Sequence, residues 1–201
     1  MLKDIFPTKV YIDFLDKVIF DKVKEGVLAY INQDSSKFKD SWQGNTLTDF
    51  PATGFKSKEL KDFILRSANN YMTGAAQDNP ENFELKISNI WINLNDNNTF
   101  QEEHIHLNPP IVHFSGIFYI EEPEQSGELV LITPNKHEMY MPYSHDDQIF
   151  QTIKPKESMI IIFPSYLAHK VNQNKGSKRR ICISFNLISF HKIKGVEFWT
   201  E

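Results

Sequence analysis

Cysteine is almost absent from this chain: Cys182 is the only one in 201 residues. A single thiol excludes an internal disulfide framework and a cysteine-built zinc ribbon, so the reducing cytoplasm is the expected compartment. Positive charge is not in excess either, since 22 lysines and arginines stand against 26 aspartates and glutamates, a formal charge of −4. No broad basic field is available for a nucleic-acid backbone or an anionic membrane, and the expected partner is a small molecule or a peptide. Also missing is any apolar stretch of the roughly 20 residues that span a bilayer, and Met1-Leu2-Lys3-Asp4-Ile5-Phe6-Pro7 lacks the apolar core of a secretion signal. The chain is therefore expected to be soluble and cytoplasmic. Fixed-period repeats and low-complexity tracts are lacking too. What is present is an apolar fraction of 40% with 13% aromatics, enough for a sizeable core and against disorder.

The helical period appears twice. Val18, Ile19, Val23, Val27, Leu28 and Ile31 recur mostly at three- and four-residue intervals with Lys22, Lys24 and Glu25 between them, which predicts an amphipathic helix. A second helix is predicted from about Ser57 to Met72 on Leu60, Phe63, Ile64, Leu65, Ala68 and Tyr71, with Ser57 as its start. From Asn82 onward the character changes to short runs rich in Ile, Val, Phe, Tyr and Trp, separated by Asn, Gly, Pro and acidic residues. These predict strands near 84–95, 101–106, 112–121, 128–133, 148–154, 158–163, 168–173 and 179–190. That number suits a jelly roll. The polar break Glu124-Gln125-Ser126-Gly127 predicts a hairpin turn between the third and fourth of these strands. The expected architecture is mainly β with N-terminal helices (α+β): one domain over 1–201, with a helical support region at 1–82 and a double-stranded β-helix core at 83–190. The exposed edges of such a core leave room for a homodimer.

Chemistry gathers in two places. In Gln101-Glu102-Glu103-His104-Ile105-His106, read as extended, residues two apart share a face, so His104 and His106 can reach one ion. His169 follows the apolar run Met159-Ile160-Ile161-Ile162-Phe163 and the Pro164-Ser165 turn, where a jelly roll can return it to that pair. Imidazoles suit iron, zinc, copper or nickel alike. Glu102 shares the same parity and is an alternative oxygen ligand in place of His106; His113, His137, His145 and His191 have no comparable partners and are expected to be structural or solvated. Farther on, strand alternation sorts Arg180 with Cys182, Ser184 and Asn186, and Arg179 with Ile181, Ile183 and Phe185. The polar face suits a cup around a metal, and a guanidinium there can grip a carboxylate bidentately.

Four ordered blocks carry a resemblance: Trp91-Ile92-Asn93-Leu94-Asn95 leading to His104-Ile105-His106, Ser115-Gly116-Ile117-Phe118-Tyr119-Ile120, Phe163-Pro164-Ser165-Tyr166-Leu167-Ala168-His169, and Arg180-Ile181-Cys182-Ile183-Ser184-Phe185-Asn186. Together they resemble the 2-oxoglutarate- and iron(II)-dependent oxygenases, in particular the prolyl-hydroxylase-like small oxygenases of phages and bacteria. The resemblance implies a metal held by His104, His106 and His169, and 2-oxoglutarate held by Arg180 with Tyr119, and with Asn93 and Asn186 lining the same cup. It also implies oxidative decarboxylation to succinate and carbon dioxide coupled to hydroxylation of a substrate, a prolyl or another amino-acid group being the first guess. His106 departs from the family pattern, which has a carboxylate there, and leaves the site one negative charge short. Two rival readings stay open: a three-histidine, cupin-type dioxygenase that uses no 2-oxoglutarate, and a jelly-roll binding module without chemistry.

Overall fold

In the computed structural model, which describes residues 7–76, 80–106, 112–135, 137, 140 and 149–192, the two helical periodicities become α1 (Lys17–Gln33) and α2 (Lys58–Ala76). The Asp16 carboxylate accepts from the amides of Val18 and Ile19 and so satisfies donors that the first turn of α1 leaves unpaired. Ser57 does the same for α2, its Oγ accepting from the Leu60 amide at 3.2 Å. Each helix buries one stripe: Phe20, Val23, Val27, Tyr30 and Ile31 on α1, and Leu60, Phe63, Ile64, Ala68 and Tyr71 on α2. Among the described residues no helix is long and apolar enough to cross a membrane.

The strands are β1 (Tyr11–Phe14), β2 (Lys39–Asp40), β3 (Leu47–Asp49), β4 (Phe83–Asn95), β5 (Gln101–His104), β6 (Phe114–Glu121), β7 (Leu129–Ile132), β8 (Phe150–Ile153), β9 (Met159–Pro164), β10 (His169–Val171) and β11 (Arg180–His191). They form a seven-stranded sheet in the order β1-β9-β6-β11-β4-β3-β2 and a four-stranded sheet in the order β5-β10-β7-β8, with neighbours antiparallel. This is the jelly roll expected from the strand count. Alternation decides which residues face where. Ile92, Phe118, Ile160, Ile162, Ile183 and Phe185 pack the large sheet against the helices, while Ile117, Tyr119, Leu129, Leu131, Ile161, Phe163 and Cys182 fill the space between the sheets.

Two features differ from the sequence reading. Strands β1, β2 and β3, of four, two and three residues, extend the edges of the large sheet from a region read as helical support, because segments so short carry no measurable period. The turn at Glu124–Gly127 does not close a hairpin. β6 pairs with β11 and β9, whereas β7 pairs with β10 and β8, so the chain crosses here from one sheet to the other. Gln125 at φ 62° and Gly127 at φ 88° make the bend. A turn signal reports where the chain bends and not which strand it then meets.

Gly116, in the middle of β6, is needed for packing. A Cβ there would stand 2.6 Å from Cε2 of Phe185 and 2.8 Å from the Ile161 carbonyl oxygen, both in the fully buried layer. Gly116→Ala is expected to lower stability by about 1–3 kcal/mol through overpacking. A urea unfolding midpoint that does not move would show that Phe185 has room to give way.

Candidate metal centre

β5 and β10 lie side by side with His104 opposite His169, and His106 follows just beyond β5, its amide donating to the Ser165 carbonyl at 3.0 Å. The three rings come together, their centroids 4.2 to 5.1 Å apart, and one ligand atom from each lies within 4.8 Å of the others. The tautomers follow from the partners. Nδ1 of His104 donates to the Glu102 carbonyl at 2.8 Å and Nδ1 of His169 to the Leu167 carbonyl at 2.9 Å, and since a carbonyl can only accept, each Nε2 keeps its lone pair. Nδ1 of His106 meets Asn186 Oδ1 at 2.9 Å and Ser115 Oγ at 2.8 Å. The Ser115 hydroxyl itself donates to Asn186 Oδ1, so the imidazole N–H is the donor there as well.

Burial pushes all three imidazolium forms down: His106 to about 4, His104 below its ordinary value, and His169 well below, where the two neighbouring histidines add to the effect. Three neutral rings with Nε2 free are what a divalent transition metal requires of histidine. Aromatic rings flank the site. Trp42 lies 4.7 Å from His104, Trp91 5.5 Å from His106, and Phe163 4.7 Å from His169, centroid to centroid.

Glu102 does not join the group, contrary to its strand parity. His169 and Val171 on β10 stand opposite His104 and Gln101 on β5, so β5 carries one extra residue, and that bulge breaks the alternation linking Glu102 to His104. The Glu102 carboxylate instead accepts from the Gln43 amide at 3.1 Å. His113 is exposed, with Nδ1 accepting from the Ser189 amide at 2.9 Å, and His137 is exposed. His145 and the side chain of His191 lie outside the described residues.

Arg180 opens β11 with its side chain fully buried. Nε donates to Glu122 Oε1 at 2.8 Å, while among the described residues Nη1 and Nη2 have no partner; neither has the hydroxyl of Tyr119, whose ring centroid lies 5.1 Å from the guanidinium carbon. Across β4, Asn95 leaves Oδ1 unpaired opposite Arg180. Buried polar atoms without partners are rare because each forfeits its hydration, and a free guanidinium fork beside a free hydroxyl fits the two oxygens of a carboxylate. Burial is the largest influence and works against the Arg180 charge, but Glu122, Cys182 and Tyr119 together outweigh it and keep the guanidinium protonated. Arg179, on the other face as the alternation requires, pairs with Asp96 at the surface, Nε to Oδ1 at 2.7 Å and Nη2 to Oδ2 at 2.8 Å.

The remaining two residues expected in the cup sit elsewhere in its network. Asn93 is buried and engaged, Oδ1 accepting from Thr48 Oγ1 at 2.8 Å and Nδ2 donating to Ser184 Oγ at 3.0 Å. Asn186 belongs to the His106 end. Sequence reasoning missed Glu122, because a register shift of β6 against β11 between Ile181 and Cys182 ends the simple parity just before it. It also missed Trp42 and Asn89, which carry no motif, and gave no role to Ser115, which lies nine residues after His106 and is brought to it by the sheet.

Residues 89–186 match the family model described as "Putative 2OG-Fe(II) oxygenase". No curated protein matches the chain by sequence. Among solved structures, a prolyl-4-hydroxylase from Pseudomonas putida aligns over 89% of this chain and 92% of its own with TM-score 0.60 and 11% identity. A prolyl hydroxylase from Trichoplax adhaerens, solved with a hypoxia-inducible-factor peptide fragment, aligns over 89% and 82% with TM-score 0.61 and 15% identity. The epimerase SnoN, solved with Fe3+, α-ketoglutarate and nogalamycin RO, aligns over 94% and 83% with TM-score 0.63 and 10% identity. At such identities the shared property is the fold.

Proposed function

We propose, from the match of residues 89–186 to the putative 2OG-Fe(II) oxygenase family, that the chain is a 2-oxoglutarate- and iron(II)-dependent dioxygenase of a small molecule or peptide, with iron(II) on His104, His106 and His169 and the far carboxylate of 2-oxoglutarate on Arg180 and Tyr119. The observation that carries this reading is the unpartnered Nη1 and Nη2 of Arg180 and hydroxyl of Tyr119, buried on the face of the large sheet whose Phe163 packs against His169. When bound, iron and 2-oxoglutarate supply the oxidation: one oxygen atom of O2 goes to succinate, formed with carbon dioxide, and the other to the hydroxylated substrate. The protein's own part is positional. The three Nε2 atoms would hold the metal, and the Asn186–Ser115 pair fixes the ring of His106. Glu122 takes Nε of Arg180 and so leaves the Nη edge as the edge a carboxylate meets. Trp42, Trp91 and Phe163 pack against the histidine rings. The prolyl hydroxylases of the same fold make a prolyl or other amino-acid group the first substrate to try.

The all-histidine donor set favours a second reading, a three-histidine dioxygenase without 2-oxoglutarate, but that reading leaves the Arg180 fork unexplained. Adding 2-oxoglutarate anaerobically to the iron(II)-loaded protein is expected to produce the visible absorbance of the metal chelate, and admitting air is expected to yield succinate. Bound iron with neither signal would favour the second reading.

A further inference from the structure

We infer that the substrate group entering beside His106 is uncharged and joined to an amide, as in a blocked or peptide-bound residue, and is not a free amino acid. This rests on the oxygenase reading above and adds a substrate class to it. A cavity of about 390 Å³ opens at His106. Its walls include Trp42, Phe50 and Trp91, with Ile105 and Val112, and its polar lining is made of hydroxyls and amides, among them Asn89 and Asn186. Among the described residues no Lys, Arg, Asp or Glu lines it, and His106, the one titratable group there, has Nδ1 engaged by Asn186 and Ser115.

The aromatic walls are held in place. Phe50 meets Trp91 edge-on with centroids 5.6 Å apart, and Trp42 is anchored by Nε1 donating to Thr48 Oγ1 at 2.9 Å. Trp42 thus has only apolar surface left to offer. An ammonium or carboxylate entering this space would lose its water and find no opposite charge, whereas a ring or branched aliphatic group would gain by leaving water. The amides add direction. Asn186 Oδ1 is taken by His106 and Ser115, and its Nδ2 donates to Asn89 Oδ1 at 3.0 Å. Asn89 Oδ1 also accepts from Ser88, which leaves the amide nitrogen of this lining residue as the donor it has to offer, suited to a carbonyl.

Trp42 and Trp91 give the readout. The manganese-loaded protein with 2-oxoglutarate would be titrated with N-acetyl amides of proline and leucine, with free proline and leucine, and with choline, following tryptophan fluorescence. Saturable quenching by at least one blocked amide, tighter than its free amino acid by about tenfold or more, is the expected result, since a buried unpaired charge is heavily penalised. Phe50→Ala, at an exposed rim position, should weaken that binding while leaving the iron–2-oxoglutarate absorbance unchanged. Equal or tighter binding of the free amino acids, preference for choline on the aromatic faces, or no saturable response to either amide would each overturn the inference. The chelate absorbance reports separately on whether the oxygenase reading itself stands.

Discussion

With His169 replaced by alanine, the protein is expected to fold and to lose stoichiometric iron(II). His169 is 3% exposed, its Nδ1 is fixed by the Leu167 carbonyl, and its strand, β10, runs between β5 and β7, so its ring is the inner member of the triad. Without it, His104 and His106 supply two neutral nitrogens, and no carboxylate among the described residues joins them in the cluster. Loss of even an outer-shell partner typically weakens a metal site about 10–100-fold, so loss of a direct ligand should exceed about a hundredfold. Two measurements check this: metal content after desalting, and the rise in melting temperature on adding metal, worth about 2.7 kcal/mol at a hundred times Kd for the native site and absent from the variant. His106→Asp serves as the control, because a carboxylate at that corner restores the negative charge the site lacks and should keep the ion. Unchanged iron stoichiometry in a folded His169→Ala protein would remove the triad from consideration.

The reason the placement of the histidines and Arg180 could be read from sequence, while that of Glu122 and Glu102 could not, lies in strand parity. β11 runs regularly from Arg180 to Asn186, so period two alone puts Arg180, Cys182 and Ser184 toward the space between the sheets and Ile181, Ile183 and Phe185 toward the helices. The apolar runs of β6 and β9 announce themselves by their continuity, being buried on both faces over six residues each. Parity fails at a bulge, and a bulge leaves no mark in a single sequence. The extra residue in β5 separates Glu102 from the histidines, and the shift in β6 comes just before the carboxylate that pairs with Arg180. Partition of the strands into two sheets was equally illegible, since a turn such as Glu124–Gly127 looks the same whether the chain folds back or crosses over. Trp42 and Asn89 reach the site from segments with no motif of their own, one in a loop before β3 and one within a long strand.

Removing the Arg180 guanidinium is expected to weaken 2-oxoglutarate binding on the order of ten- to a hundredfold or more, from contacts to a charged group worth about 1.5–3 kcal/mol, while leaving iron on the histidines. The ion pair complicates the simplest variant. Glu122 is 3% exposed at its side chain, and Arg180→Ala alone would strand its carboxylate without a cation, a change that typically costs about 3–5 kcal/mol of stability. The informative protein is therefore Arg180→Gln combined with Glu122→Gln, which removes the fork and the counter-charge together. Glu122→Gln alone separates their roles: glutamine still accepts from Nε, so the fork keeps its orientation, but Arg180 then faces the cosubstrate with its full charge and should bind it more tightly than in the native pair. Arg179→Ala gives the background, since its pair with Asp96 is 41% and 45% exposed and surface pairs of this kind contribute about 0–1 kcal/mol. Anaerobic titration of 2-oxoglutarate into the iron(II)-loaded proteins, read by the chelate absorbance, compares all four. A steep loss in the double variant, a gain in Glu122→Gln and no change in Arg179→Ala is the pattern a carboxylate on the Nη edge requires. Equal, small effects throughout would mean that the unpartnered fork holds something other than this cosubstrate.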